Sequence, residues 1–256
     1  MQYHRPETME EALALLAQGV PLAGGTQLTP MRREISAVVD LQGLGLDQIR
    51  VCSARTEIGS ALRLQQIVQS EDLPPALRET CRLEAARNMR SMATVGGLLI
   101  TADARSPLLT ALLALDLDVH LEPDAQSMPL LEFLGSKRGK LAGNLITSLS
   151  WRNPKALRYA QVARSPADFP IVGVAVARME DAKGKGITRL AIGGWGACPI
   201  RVSAAETALD GKGDLDEAIL AVEHAYAQAE DAWAGAAYRS EVAGVLARRL
   251  LVEVLS

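Results

Sequence analysis

Aromatic side chains are scarce in this sequence: two Phe, four Tyr and three Trp among 256 residues. So few rings disfavour a base-stacking platform for nucleic acid, and Ala, Leu and Val must fill the core. Basic excess is lacking too. Lys and Arg total 27 against 30 Asp and Glu, a formal charge of −3, where a nucleic-acid binder would carry a basic stripe. Cysteine is rare. Cys52, Cys81 and Cys198 lie far apart with no Cys-x-x-Cys pair, which disfavours a zinc ribbon or iron–sulfur ligation within this chain. Three reduced, mostly buried thiols are expected instead. His4, His120 and His224 are equally scattered, none with a second ligand at helical spacing, so no metal site is expected. Long hydrophobic runs are absent. The longest, over 108–115, is interrupted by Thr110 and closed by Asp116, short of the ~20 apolar residues that span a bilayer. Residues 1–10 carry no signal-peptide stretch, and the expected address is the cytoplasm.

What is present is an ordinary globular balance, 48% hydrophobic and 22% charged. Thr8 followed by Glu11 has capping-box spacing and predicts a helix through Leu16, ended by Gln18-Gly19. Short strands are expected at 20–23, 37–41, 49–51 and 56–59, with helices over 62–69 and 76–88. The run 92–97 reads as an extended stretch ending in a second glycine turn. A helix over 107–115 and a strand at 118–121 follow, with the mixed pattern continuing at 129–134 and 145–149. From about Asn153 the character changes. Strands at 157–162, 171–178 and 187–192, the last two joined by Lys183-Gly184-Lys185-Gly186, imply a three-stranded antiparallel sheet. Ala/Leu-rich helices are expected over 203–209, 215–229 and 233–255.

Two segments carry chemistry: Ala23-Gly24-Gly25-Thr26-Gln27-Leu28 and Thr94-Val95-Gly96-Gly97-Leu98. A Gly-Gly pair opens backbone conformations closed to other residues and clears side chains from the approach path. Successive N–H groups then converge on an anion, and Thr26 and Thr94 add hydroxyls; two such loops suit a diphosphate. Taken alone, each pair is read first as a plain turn, which is the commoner use of Gly-Gly. Neither is a G-x-G-x-x-G fingerprint or a P-loop, so standard dinucleotide and mononucleotide folds are excluded.

Residues 3–12, Tyr3-His4-Arg5-Pro6-Glu7-Thr8-Met9-Glu10-Glu11-Ala12, with Ala23-Gly24-Gly25-Thr26, resemble the FAD-binding medium subunit of the xanthine dehydrogenase and aerobic carbon monoxide dehydrogenase family, the molybdenum hydroxylases. The similarity continues in Ala93-Thr94-Val95-Gly96-Gly97, in the stretch 167–176, in Arg189–Gly194 with Pro199-Ile200-Arg201, and in the closing 238–249 stretch. The resemblance implies an α+β chain. An FAD-binding PCMH-type domain over 1–152, in lobes of roughly 1–55 and 56–152, would precede a C-terminal domain over 153–256 with a three-stranded antiparallel sheet and helices. It further implies that FAD is contacted by Leu22, Ala23, Gly24, Gly25, Thr26, Gln27 and Leu28, by Thr94, Val95, Gly96, Gly97 and Leu98, and by Thr101, Asp103, Leu145 and Gln161, with no catalytic side chain in this chain. Partner subunits would hold the rest: a small one with two [2Fe–2S] clusters and a large one with the molybdenum cofactor, as a dimer of heterotrimers. Electrons would pass from the clusters to the flavin and on to an external acceptor. The cysteine census agrees, since this chain could not ligate the clusters.

Four positions depart from the family pattern. Leu98 follows Gly-Gly where Asn is usual, and Pro107 stands where Asp is common, with Asp103 four residues upstream. Tyr159-Ala160-Gln161 replaces Tyr-x-Lys, removing a cation, and Gln27 replaces Asp or Ser. A flavin-free structural subunit is therefore the alternative, and a stand-alone FAD oxidoreductase a more distant one, since 256 residues leave little room for a substrate domain. Of the other residues weighed, Arg87, Arg90 and Arg105 read as solvated, interface or phosphate-steering cations. Trp195 reads as a core residue or as a contact to the isoalloxazine or a partner subunit, Asp168 as a turn cap ahead of a role holding partner residues near the flavin, and Lys137-Arg138-Gly139-Lys140 as an exposed turn ahead of a partner-docking one.

Overall fold

The computed structural model describes residues 1–135, 143–181, 183–211 and 213–255. The Lys137-Arg138-Gly139-Lys140 stretch lies outside these described residues. Two compact units are present, each assembled from separated segments.

Residues 1–70, 86–101 and 117–151 make the first unit. Its smaller sheet places β3 (Ala37–Asp40) between β1 (Gln2–His4) and β2 (Val20–Leu22), parallel to both. All four residues of β3 are buried, as a central strand covered on both faces requires. The β1 strand was not expected, because three polar residues give no apolar alternation. Tyr3 secures it from outside, its hydroxyl donating to the buried Asp40 carboxylate. Helix α1 (Met9–Leu15) starts at Thr8, whose Oγ1 accepts the Glu11 N–H at 3.2 Å. The reciprocal bond runs from the Glu7 N–H to the Glu11 carboxylate at 3.0 Å, one residue earlier than a standard capping box. A five-stranded sheet follows the order β4 (Ile49–Val51), β5 (Arg55–Gly59), β8 (Leu145–Arg152), β6 (Asp118–Glu122), β7 (Gln126–Pro129). Along β6, Val119 and Leu121 turn inward while Asp118, His120 and Glu122 turn outward. Helices α2 (Leu64–Gln69), α4 (Arg87–Arg90), α5 (Val95–Thr101) and α7 (Leu130–Gly135) complete the unit.

The second unit comprises residues 71–85, 102–116 and 152–256. Helix α3 (Pro75–Glu84) stops four residues short of the expected Asn88, the chain turning extended at Ala85 before the separate turn of α4. Its sheet is antiparallel, ordered β12 (Ile200–Arg201), β11 (Gly186–Gly193), β10 (Val172–Glu180), β9 (Ala156–Val162). The expected three strands are present and a fourth, two residues long, corrects the count. Pro199 immediately before it offers no N–H, which limits β12 to a brief edge pairing at Ile192↔Ile200 and Ala191↔Arg201. Strand β10 is buried on both faces. Val172, Val174 and Val176 enter a core with Leu246, Ala247, Leu250 and Leu251 of α10 (Ala236–Leu255). Against the same sheet lies α6 (Pro107–Ala114), every residue of which is buried. A helix apolar all round has to be covered on every side, and α3 and the sheet cover it. Helices α8 (Ser203–Gly211) and α9 (Leu215–Ala225) finish the layer; α9 stops four residues before the expected Ala229, and α10 begins at Ala236 rather than Trp233.

Arg239 explains that late start. Its side chain is 1% exposed and binds the carbonyls of Ile171, Gly194 and Ala234 as well as the Asp231 carboxylate, at 2.7 Å for the last. The turn at 231–235 is folded around this guanidinium.

Candidate cofactor site

The segment Ala23–Leu28 leaves β2 and turns at once. Gly25 sits at φ +69°, and its carbonyl accepts both the Thr29 N–H at 2.9 Å and the Thr29 hydroxyl at 2.8 Å. Among the described residues no internal acceptor meets the N–H groups of Gly24, Gly25, Thr26, Gln27 or Leu28. Five adjacent donors without a protein partner must be satisfied by water or by an anion. Thr26 is half-buried beside them and Gln27 is exposed.

Gly24 is required for a steric reason. A Cβ there would lie 2.1 Å from the Met92 carbonyl oxygen and 3.1 Å from the Ala93 Cα. The first glycine segment therefore rests directly on the backbone that leads into the second. No sequence signal marked Met92 as the seat, because it contributes only main-chain atoms.

The second segment differs from the sequence expectation. Gly96 and Gly97 lie not in a turn but in the first turn of α5. Their amides face inward: the Val95 N–H donates to the Leu62 carbonyl at 3.0 Å, the Gly96 N–H to the Ser60 carbonyl at 2.8 Å, and the Gly97 N–H to the Thr94 hydroxyl at 3.3 Å. Thr94 is an N-cap, and the Leu98 N–H closes the turn on its carbonyl at 3.0 Å. Glycine at 96 serves close packing, since a Cβ would stand 2.9 Å from Ser60. Leu98 is buried, and Thr101 returns its hydroxyl to the Gly97 carbonyl at 2.9 Å. Leu145 is a core residue, 4% exposed, packed with Ala12, Val39 and Leu41, and half-buried Ala23 lies against the same cluster. Leu22, at the end of β2, is likewise half-buried.

Asp103 and Gln161 belong to the second unit. Asp103 accepts the Arg105 N–H at 2.8 Å and pairs with its guanidinium at 3.0 Å. Arg105 also lies over the Phe169 ring, 5.6 Å from its centroid. The Gln161 carbonyl oxygen accepts the Tyr159 hydroxyl at 2.9 Å, which leaves the amide NH₂ as the group it can offer. Burial pushes the Tyr159 phenol well above its ordinary pKa, and the charges of Glu84 and Tyr226 add to this. Burial also raises Glu84 to about 7, although hydrogen bonds from Ser106 and Leu108 pull it down. Sequence reasoning did not single out Glu84, and an isolated Glu at a helix end gives no signal. Trp195 is 39% exposed, so it does not fill the core. Asp168 pairs with Arg164 at 3.7 Å, and Arg164 stacks on Trp233, 4.2 Å from the ring centroid.

With this geometry in view, comparison with known proteins is decisive. Residues 1–150 match the family described as the FAD binding domain in molybdopterin dehydrogenase, and residues 157–254 the CO dehydrogenase flavoprotein C-terminal domain. The 6-hydroxypseudooxynicotine dehydrogenase complex subunit alpha of Paenarthrobacter nicotinovorans is 29% identical, the match covering 97% of this chain and 92% of that protein. The carbon monoxide dehydrogenase medium chain of Afipia carboxidovorans is also 29% identical, over 96% and 94% respectively. The crystal structure of the Cu,Mo-CO dehydrogenase in its cyanide-inactivated form contains a chain that superposes with a TM-score of 0.84 at 27% identity, covering 99% of this chain and 96% of that one. Fold and sequence together define a flavoprotein subunit of the oxidoreductase class. The chain belongs to the family of FAD-binding medium subunits of the molybdenum hydroxylases.

Proposed function

We propose that this chain carries electrons within a molybdenum hydroxylase complex, receiving them from [2Fe–2S] clusters in a small partner subunit and delivering them to an external acceptor. A large partner subunit with the molybdenum cofactor performs the hydroxylation, in a dimer of heterotrimers at a cytoplasmic address. Among the described residues no helix is long and apolar enough to cross a membrane.

The observation that carries this reading is the row of five unpartnered amides at Gly24–Leu28, seated on Met92 and Ala93 by a glycine that tolerates no side chain. These residues fit an FAD diphosphate: the donors are main-chain, adjacent and uncommitted, and Thr26 stands beside them with a hydroxyl. FAD supplies a centre that accepts electrons singly or in pairs, which suits it to stand between one-electron clusters and a two-electron acceptor. The chain's own part is to bind and orient. The loop holds the diphosphate, Leu22 and Leu145 shape the apolar neighbourhood, Thr94 and Leu98 fix the start of α5, and Thr101, Asp103 and Gln161 complete the proposed contact set. The domain boundary near residue 153 is part of the same proposal.

A second reading, a structural subunit without flavin, is favoured by one observation: the amides of Val95, Gly96 and Gly97 are already engaged within the protein. Each side-chain bond lost at Leu98 or Pro107 costs on the order of 1 kcal/mol of cofactor affinity. Titrating the purified chain with FAD and following flavin fluorescence separates the readings. Saturable quenching supports the flavoprotein; no binding, either by the chain or by its complex, supports the structural subunit. A stand-alone oxidase is tested by co-purification, which brings molybdenum and iron only with a subunit.

A further inference from the structure

Within the second unit, the loop from β9 to β10 and the turn before α10 border a cavity of about 80 Å³. Arg105, Arg164, Asp168, Phe169, Trp233 and Arg239 are among its lining residues. That volume falls well below the roughly 300–1,000 Å³ of a small-molecule site, and it suits the end of one side chain.

The rim is unusually aromatic for this protein. Phe169 and Trp233 are 54% and 50% exposed. Trp195 and Tyr238, also exposed, adjoin the lining residues Gly194 and Arg239 in the chain. The sequence holds nine aromatic residues, and four of them are spent here on positions open to solvent. Exposed Trp, Tyr and Phe set beside Arg make the composition that anchors protein–protein contacts.

The arginines specify what the partner must carry. The Arg164 guanidinium lies over the Trp233 ring, 4.2 Å from its centroid, and this stacking fixes its plane. Among the described residues its ion-pair neighbour is Asp168, whose carboxylate stands 3.7 Å from Nε, beyond hydrogen-bond distance. Both side chains are exposed, and a pair of that geometry contributes little. No acceptor among the described residues meets the Nη1 and Nη2 groups of Arg164, the end of the fork that grips a carboxylate through two parallel bonds. Arg239 has five N–H groups, of which four donate to Ile171, Gly194, Ala234 and Asp231. The fifth has no acceptor among the described residues. Arg105, by contrast, is paired with Asp103 at 3.0 Å.

We propose that this pocket receives an acidic side chain from a partner subunit, gripped by Arg164 and covered around by the Phe169, Trp195, Trp233 and Tyr238 rings. The inference rests on the reading above, that the chain works as one subunit of a complex. A partner carboxylate supplies the bidentate acceptor for Arg164, and docking removes the four rings from water. A neutral or basic partner segment would instead strip water from the Arg164 charge and return nothing for it. The size of the cavity argues for a side chain carried by a protein over a free organic ligand.

Reconstitution of the complex from this full chain and its separately purified partner subunits tests it, with association followed by interferometry. Arg164→Gln should weaken association by roughly tenfold or more. Arg158→Gln removes an exposed arginine that pairs with Glu253 and does not line the pocket, and it should change association by less than about twofold. Thermal melting of each isolated variant at the native temperature shows that the fold is kept. Native affinity in Arg164→Gln overturns the docking, and so does an equal loss in both variants, which would reduce the effect to bulk charge. Either result leaves the subunit reading intact. A native chain that associates with no partner subunit overturns that reading and the docking with it.

Discussion

At the scale of single residues, Gly24 is the position where sequence chemistry and site geometry meet. Its missing side chain lets the loop rest on Met92, and a methyl group there would sit 2.1 Å from a carbonyl oxygen that belongs to the main chain and cannot swing aside. Gly24→Ala should displace the loop and weaken FAD by at least tenfold, at a stability cost of about 2 kcal/mol. Fluorescence titration and urea unfolding of the variant measure both; native affinity would mean that the loop is not the diphosphate seat. The proposed contact of Gln161 with the flavin carries its own prediction. Were a neutral amide to stand at the flavin where relatives carry a cation, reduced, anionic flavin would be less stabilised, so Gln161→Lys should raise the flavin midpoint potential. Spectroelectrochemical titration reads the shift, and an unchanged or lower potential contradicts the assignment. The glycine of the first loop was legible in the sequence as a close-approach residue, whereas Met92 was not, because a main-chain seat leaves no mark in side-chain chemistry.

At the scale of elements, the junction of α3 and α6 carries a pH dependence. Glu84 holds its proton more tightly in the folded protein, at about 7, than the ordinary value of 4.5 in the unfolded chain. Its contribution to stability is therefore full below pH 4.5 and is lost as pH rises through 7, to a total of about 3 kcal/mol. Glu84→Gln removes that dependence. Urea unfolding should find the variant more stable than the native protein at pH 8 and similar to it at pH 4.5; parallel profiles would show the carboxyl to be unperturbed. Most elements were readable from periodicity and breakers, but not the second glycine pair. Gly-Gly after an extended run signals a turn. Here Thr94 caps a helix that the two glycines begin, and Ser60 and Leu62 satisfy amides that a turn would have left open. Likewise β1 is a strand because β3 offers a parallel edge and Asp40 receives the Tyr3 hydroxyl, partners that lie more than thirty residues ahead.

At the scale of the whole molecule, the chain order and the packing order diverge. A shift of composition near residue 153 is visible in the sequence, yet residues 71–85 and 102–116 cluster with the second unit. The reason is burial: α6 is apolar on every face and needs both α3 and the β9–β11 sheet to cover it, a demand that local pattern cannot assign to a partner. Inside that unit Arg239 ties three carbonyls and one carboxylate to a single guanidinium with 1% of its side chain exposed. Arg239→Met strands those acceptors, and the expected loss is about 3–5 kcal/mol of unfolding free energy, read by calorimetry or denaturant. A loss below about 1 kcal/mol would mean the turn at 231–235 is held by something else.

The account stands or falls on where FAD meets the main chain. Amide hydrogen exchange, followed by mass spectrometry with and without saturating FAD, reads the relevant donors directly. The account predicts strong protection confined in this region to the Gly24–Leu28 amides, with little change at Val95–Gly97, whose N–H groups are already bonded in the protein. Unchanged exchange at Gly24–Leu28 in a chain that demonstrably carries FAD would contradict it.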